Sequence, residues 1–376
     1  MKIAITIPFL LPEYADGHSC FAYEAGKRMA EAHPGHEFLF IFDRPYDEKF
    51  VFGKNITPVI AGPPTRSPLL WKWWYDVKLP AVLKKYQADI VVSFDGICSL
   101  TTRLPQCLVV QDLSFLHRAF PGSRARLLFY RHYTPAFLRK AARVATVSAF
   151  LKNELAATYK TPADTIDIVY GAANDIFSPL SPTIKDQTRE KYTGGKNYFV
   201  YAGTAHSHKG LTMLLKAFSV FKKRQQSNWK LVITGGPVLK NDKFIKSLAT
   251  YKYRDDVVVT GAVAESERVL ITGAAYALIC ASPGEGFGRL ALEALQSDVP
   301  VITSAGSALQ EIAGGGALHA DLSDQDDIAA KMMLLYKDES LRAALIDKGR
   351  ERARQFTWRR TAELLWENIL KCKPHG

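Results

Sequence analysis

The chain has no apolar run approaching the roughly 20 residues that cross a bilayer as a helix. Its start, MKIAITIPFLLPEY, lacks the basic region, long apolar core and small-residue cleavage site of a signal peptide. The sequence therefore reads as cytoplasmic. Cysteine is also scarce: Cys20, Cys98, Cys107, Cys280 and Cys372 are odd in number, widely spaced and never in a C-x-x-C pair. That pattern argues for reduced thiols rather than a disulfide framework or a zinc site. There is no G-x-x-x-x-G-K-[ST], no strand-linked G-x-G-x-x-G, no H-E-x-x-H and no G-x-S-x-G. P-loop, dinucleotide-fingerprint, zinc-protease and nucleophile-elbow readings are set aside with them. The nine histidines are dispersed, and His206 with His208 lack a third ligand, so no metal site is expected.

What is present describes a folded protein of two parts. The 376 residues exceed one ordinary core and suit two domains, and 47% apolar with 23% charged residues is a globular composition. The formal charge of +12 favours an anionic partner. Acid is missing altogether between Asp112 and Glu154, where Arg118, Arg124, Arg126, Arg131, Arg139, Lys140, Arg143 and Lys152 alternate with aromatics. WKWWYDVKLPAVLKKY, residues 71 to 86, adds three tryptophans and four lysines. Both stretches fit an anionic acceptor or peripheral contact with an acidic membrane surface. The competing reading makes the tryptophans core and the lysines a solvated face. No nucleic-acid module is present, so a nucleic-acid partner is not expected.

Short β-branched runs alternate with segments of helical period, the pattern of a parallel sheet with helical crossovers. Strands are predicted at 2–8, 37–43, 88–94, 106–112, 143–148 and 166–171, then at 197–203, 229–236, 256–261, 276–282 and 299–304. The expected domains are 1–178 and 196–355. Between them SPLSPTIKDQTREKYTGG, around 179–195, reads as a linker, and 356–376 as a terminal helix crossing back to the first domain. In open parallel sheets ligands bind beyond the carboxyl ends of the strands. Glycines and small residues follow nearly every strand of the second half, which lets backbone amides approach a ligand.

The segment SPGEGFGRLALEAL, residues 282–295, concentrates that pattern. A strand ends, Pro283-Gly284 turns the chain, Gly286-Phe287-Gly288 gives mobile backbone, and a helix is predicted from Arg289 to Gln296. Its first amides suit an anion. Glu285 stands before the helix, while Glu293 lies a turn inside it among Leu290, Leu292 and Ala294, where a carboxylate requires partners. Ligand hydroxyls or an arginine would serve.

With YAGTAHSHKGLTMLLKAF (201–218), QDLSFLHRAFP (111–121), ARVATVSAFLKNEL (142–155), IVYGAANDIF (168–177) and FTWRRTAELLWENIL (356–370), this segment resembles the family 4 retaining glycosyltransferases. Glu285 and Glu293 match that family's E-x7-E motif. The resemblance implies the GT-B fold: α/β, two doubly wound parallel-sheet Rossmann-like domains facing a central cleft. It implies hexose transfer, mannose first, from a GDP- or UDP-sugar to a glycan or lipid-linked acceptor in cell-envelope polysaccharide synthesis, with no cofactor or metal. By the same resemblance Glu285 holds donor-sugar hydroxyls, Glu293 the ribose, Lys209 the pyrophosphate, and Ala262-Val263 the base. Gly286, Phe287 and Gly288 offer amides, and Gln111 with Asp112 stand where the family has a histidine-aspartate pair. Thr204 replaces the family's arginine before the lysine, His208 or Arg289 is an alternative source of basicity, and Gly17 is the remnant of a glycine-rich loop. Gln111 and Thr204 also motivate the alternatives: a catalytically impaired nucleotide-sugar-binding scaffold, or an epimerase or phosphorylase on the same fold.

Overall fold

The computed structural model describes residues 1–10, 17–117, 120, 122–203, 210–235, 243–280 and 285–372. The chain divides into two units, Met1–Ala172 with Thr357–Gly376, and Ala173–Phe356.

Unit 1 is built on seven parallel strands: β1 (Lys2–Thr6), β2 (Glu37–Phe42), β3 (Ile56–Ile60), β4 (Ile90–Ser93), β5 (Gln106–Val110), β6 (Arg143–Thr146) and β7 (Ile166–Ile168). Their order is β3-β2-β1-β4-β5-β6-β7. β1 pairs on both sides, Ile3 standing opposite Phe38 and Ile90. Every residue of β4 and β5 is buried, as expected of strands covered on both faces by crossover helices. Those helices are α1 (Gly17–Ala32), α2 (Pro68–Trp73), α3 (Leu79–Tyr86), α4 (Arg124–Lys140) and α5 (Ala149–Tyr159). A wider π-type turn, Trp74–Lys78, joins α2 to α3.

Unit 2 repeats the scheme with β8 (Tyr198–Ala202), β9 (Lys230–Thr234), β10 (Val257–Gly261), β11 (Ala277–Ile279), β12 (Val301–Ser304) and β13 (Ala317–Ala320). The order is β10-β9-β8-β11-β12-β13. Its helices are α6 (Pro182–Thr193), α7 (Leu211–Gln225), α8 (Lys243–Ala249), α9 (Glu265–Gly273), α10 (Arg289–Gln296), α11 (Ala308–Ala313), α12 (Gln325–Lys337) and α13 (Glu339–Ala353). Phe199, Phe218, Phe221, Trp229, Ile279 and Met332 belong to one buried cluster.

Helix α14 (Trp358–Lys371) returns the chain to unit 1. It buries Trp358, Ala362, Leu365 and Ile369, sets Trp358 edge-on to Phe21 at 6.0 Å, and ties Thr361 to the Tyr170 carbonyl at 2.6 Å.

Three sequence expectations are corrected. The stretch 179–195 is not a linker: Ser181 caps α6, with Pro182 in its first turn, and the helix belongs to unit 2. The division falls at Ala172, not 178. Strands β3 and β13 were not expected. Both are sheet edges, and Pro58 inside β3 is tolerated because an edge strand needs no ladder donor on its outer side.

In each sheet the crossover direction reverses once, between β1 and β4 in unit 1 and between β8 and β11 in unit 2. Such a reversal splays the two connections apart and leaves a crevice at the strands' carboxyl ends.

Candidate functional site

At the reversal point of unit 2 the backbone is stripped of side chains. Gly203, Gly235 and Gly261 end β8, β9 and β10, all with positive φ, at 135°, 116° and 70°. The Gly203 amide donates to the Thr234 carbonyl at 3.0 Å, and Gly235 to the Gly261 carbonyl at 2.9 Å. A Cβ on Gly235 would stand 2.0 Å from the Gly203 carbonyl oxygen, so only glycine fits. Three adjacent strand ends thus present bare peptide to whatever binds there. Ala262 is exposed and Val263 half-buried in the turn that follows.

Beyond β11, Glu285 is half-buried and Gly286 buried. Burial, reinforced by the Glu285 charge, drives the Tyr201 phenol far above its ordinary range, which puts that carboxylate in the electrostatic neighbourhood of the β8 end. Phe287 packs edge-on against Phe356 at 5.9 Å, so its ring anchors the loop. Gly288 caps α10 at φ 100°, and a Cβ there would meet Leu309 Cδ2 at 2.5 Å. Gly288 brings no side chain to cap α10, and among the described residues no side chain is seen to cap it; a helix start favours an anionic group by amide donors and dipole together.

Glu293 is 1% exposed and is gripped by two arginines. Arg289 Nη1 donates to Oε1 at 2.8 Å, Arg268 Nη2 reaches the same oxygen at 3.4 Å, and Arg268 Nη1 holds Oε2. Arg268 also bonds Glu265 at 2.6 Å and lies 4.7 Å over the Phe177 ring. The arginine alternative for this buried carboxylate is thus realised, and Arg289 is committed to it. Sequence reading missed Arg268 and Glu265. The fourfold spacing of Arg289 and Glu293 was visible, but nothing in the sequence ties residue 268 to residue 293.

Lys209, Thr204 and His208 lie outside the described residues, as do Pro283 and Gly284. Gly210 caps the start of α7 at φ 78°. A cavity of about 720 Å³ opens there, lined by Gly210, Thr212, Lys216, Ser304, Asp321 and Ser323.

The reversal point of unit 1 holds another cavity, of about 490 Å³. Gln111 and Asp112, after β5, both line it. Gln111 Nε2 donates to the Phe94 carbonyl at 2.8 Å, and Asp112 Oδ1 accepts from the Ser114 amide at 2.8 Å. His18 Nε2 lies 3.8 Å from Asp112 Oδ2. Gly17 opens α1, exposed, with nothing within 4 Å of where a Cβ would be. Unexpected in the same wall are Tyr75 and Asp95. The structure therefore gathers Glu285 to Gly288, Glu293 and Ala262-Val263 at one sheet end in unit 2, and Gln111, Asp112 and Gly17 at another in unit 1.

Among the described residues no group of three His, Cys, Asp or Glu side chains is placed to hold a metal. No described helix is long and apolar enough to cross a membrane, and none of the five cysteines, all buried, is in a disulfide.

Comparison with known proteins supplies the context. Residues 184–352 match the family model described as Glycosyl transferases group 1, and residues 15–175 match Glycosyltransferase Family 4. The O-antigen chain mannosyltransferase B of Escherichia coli is 28% identical over 222 residues, 59% of this chain and 58% of that protein. The O-antigen chain mannosyltransferase RfbU of Salmonella typhimurium is 25% identical over 285 residues, 74% and 75% of the two chains. A glycosyltransferase from Rickettsia africae superposes with a TM-score of 0.76 at 18% identity, covering 100% and 99%. The Anabaena protein HepE, solved with UDP and glucose, gives 0.73 at 15%, covering 98% and 99%. These neighbours share the two-Rossmann GT-B fold.

Proposed function

We propose that this chain, which belongs to the family 4 glycosyltransferases, transfers a hexose with retention and without a metal to a glycan or lipid-linked acceptor of the cell envelope. Mannose from GDP-mannose is the first choice, in keeping with the names of the two O-antigen relatives, and a UDP-hexose the second. The observation that carries the reading is the bare peptide edge of Gly203, Gly235 and Gly261 with Glu285 and the Gly288-capped start of α10 beyond the neighbouring strand β11. Donor cleavage leaves negative charge on the departing diphosphate and positive charge on the sugar ring. Fixed backbone amides stabilise the first at little reorganisation cost, and the Lys209 ammonium adds the charge that the family resemblance assigns to it. The Glu285 carboxylate accepts hydrogen bonds from donor-sugar hydroxyls, and the backbone of Ala262-Val263 meets the base. Glu293 accepts from the ribose while Arg268 and Arg289 fix its two oxygens. The acceptor belongs to unit 1, beside Gln111 and Asp112.

The test is a panel of GDP- and UDP-sugars with release of nucleoside diphosphate as the readout. Wild type should release it slowly with water and faster with extracts that supply acceptor. Glu285→Ala should lower release at least 100-fold with an unchanged melting temperature, because the side chain is only half-buried. Binding with no release from any donor would sink the transferase reading in favour of a nucleotide-sugar-binding scaffold.

Peripheral contact with an anionic membrane is part of the same proposal, and the structure redistributes the residues involved. Of the three tryptophans in 71–86, Trp74 is fully buried and Trp71 lines the unit 1 cavity; Trp73 is 41% exposed. Leu69, Trp73 and Val77 recur every fourth residue along one outward stripe, with Leu128 exposed on α4. Arg66, Lys84, Lys85, Arg124 and Arg131 are exposed on these same segments or close beside them.

A further inference from the structure

The cavity of unit 1 contains a carboxylate that no cation among the described residues neutralises. Asp95 follows β4 and lines the cavity, and among the described residues no lysine, arginine or histidine pairs with it. Its partners are the Tyr75 hydroxyl, 2.8 and 2.7 Å from its two oxygens, and the Ile97 amide at 3.4 Å. Tyr75 is 1% exposed, and Thr6 Oγ1 lies 3.1 Å from the same phenol oxygen. Trp71, Phe115 and Tyr130 line the same cavity as one aromatic cluster: Phe115 stacks on Tyr130 at 5.3 Å, and Tyr130 is 5.9 Å from Trp71. An apolar aromatic wall facing a few fixed polar groups is the chemistry that recognises a sugar ring, whose C–H face packs on aromatics while its hydroxyls bond the rim.

We propose that Asp95, oriented by Tyr75, is the hydroxyl-recognition group of an acceptor subsite in this cavity, taking a neutral sugar ring laid against Trp71, Phe115 and Tyr130. This rests on the glycosyltransferase reading for the role of the bound sugar, but not for its binding. An ionised Asp95 accepts the hydrogen bond of a sugar hydroxyl more strongly than a protonated one. Burial pushes its carboxyl up to about 7, against the opposing hydrogen bonds of Tyr75 and the Ile97 amide. The groups around it are Tyr75 and Thr6 on one side, the buried Cys98 thiol, and Tyr130 from α4. His18, Arg44, Asp112 and Arg126 line the same cavity. Affinity for a neutral sugar therefore rises as pH increases through neutrality.

The test uses the full chain without donor, titrated by calorimetry with methyl α-mannoside, methyl β-glucoside and methyl β-glucosaminide at pH 5.5, 7.0 and 8.5. GDP and UDP titrations run in parallel. Neutral glycosides should bind at least fivefold more tightly at pH 8.5 than at 5.5. The isosteric Asp95→Asn should abolish that dependence, which separates it from His18 and Asp112, and weaken binding at pH 8.5 about tenfold. Tyr75→Phe removes a hydrogen bond that favours the ionised carboxylate, so its midpoint should move to higher pH. Unchanged affinity in Asp95→Asn, a flat wild-type profile, or a tenfold preference for the aminosugar would each overturn the proposal. So would the absence of glycoside binding while GDP or UDP still binds, an outcome that leaves the transferase reading standing. Glycoside binding without nucleotide binding would do the reverse.

Discussion

Glu293 and its two arginines are a buried ionic unit whose parts cannot be removed singly at low cost. Its side chain is 1% exposed and those of Arg268 and Arg289 are 15% and 17% exposed, so each loses most of its hydration and depends on the others. Glu293→Ala should destabilise by about 3 kcal/mol, the scale for breaking a buried pair, as read by chemical denaturation. Adding Arg268→Ala to that variant should cost less than Arg268→Ala alone, since the partner is already gone. Glu293→Gln keeps the shape and separates stability from ligand. If nucleoside diphosphate affinity by calorimetry is unchanged in Glu293→Gln and in Glu293→Ala, the ribose role is removed and the unit is purely architectural. At this scale the motif's spacing was legible. What occupied its buried acid was not, because Arg268 reaches it from another helix.

At the scale of elements, α2 and α4 carry the basic and aromatic stretches in different ways. They pack through Trp71, which meets Phe129 at 5.3 Å and Tyr130 at 5.9 Å, with the Arg126 guanidinium 5.3 Å over its ring. The indoles of Trp71 and Trp74 thus support unit 1, while Leu69, Trp73 and Val77 face outward. An outward apolar stripe with lysines and arginines nearby matches a bilayer interface carrying anionic headgroups. Wild type should co-sediment with vesicles containing phosphatidylglycerol at low salt and less at 0.5 M salt. Leu69→Asp with Trp73→Asp should lower the bound fraction severalfold while nucleotide affinity stays. Equal sedimentation of that variant, or of wild type with neutral vesicles, would count against the surface. Composition had offered all three tryptophans, and only burial separated them.

For the whole molecule, the chain crosses between units twice, and the second crossing matters to unit 1. Helix α14 places Asn368 in its interior, where Nδ2 donates to Asp167 at 2.7 Å and Oδ1 accepts from the Cys107 thiol at 2.7 Å. Lys371 adds a 2.9 Å ion pair to Asp167. Unit 2 is a single contiguous segment, Ala173–Phe356. Expressed alone, residues 173–356 should fold cooperatively with far-ultraviolet circular dichroism of mixed α/β character and retain nucleoside diphosphate binding. Residues 1–172 should stay aggregation-prone until 357–376 is fused back, because Leu365 and Ile369 cover apolar surface that would otherwise meet water. A well-folded 1–172 fragment would refute the dependence.

The alternation of β-branched runs and helical periods determined two parallel-sheet units, because backbone hydrogen bonding and burial on both faces leave few other ways to arrange such a pattern. The sequence also located Gly203, Gly235, Gly261 and the Glu285-to-Glu293 segment by itself, since glycine's freedom and the order of motifs are local properties. Edge strands β3 and β13 escaped it because their runs are short and one is broken by proline. Tertiary structure alone decided that α6 packs on α9 and so belongs to unit 2, that two arginines hold Glu293, and that Asp95 and Tyr75 meet at the wall of a cavity. Those are contacts between segments far apart in the chain, and they follow from which strand ends the crossover reversal brings side by side.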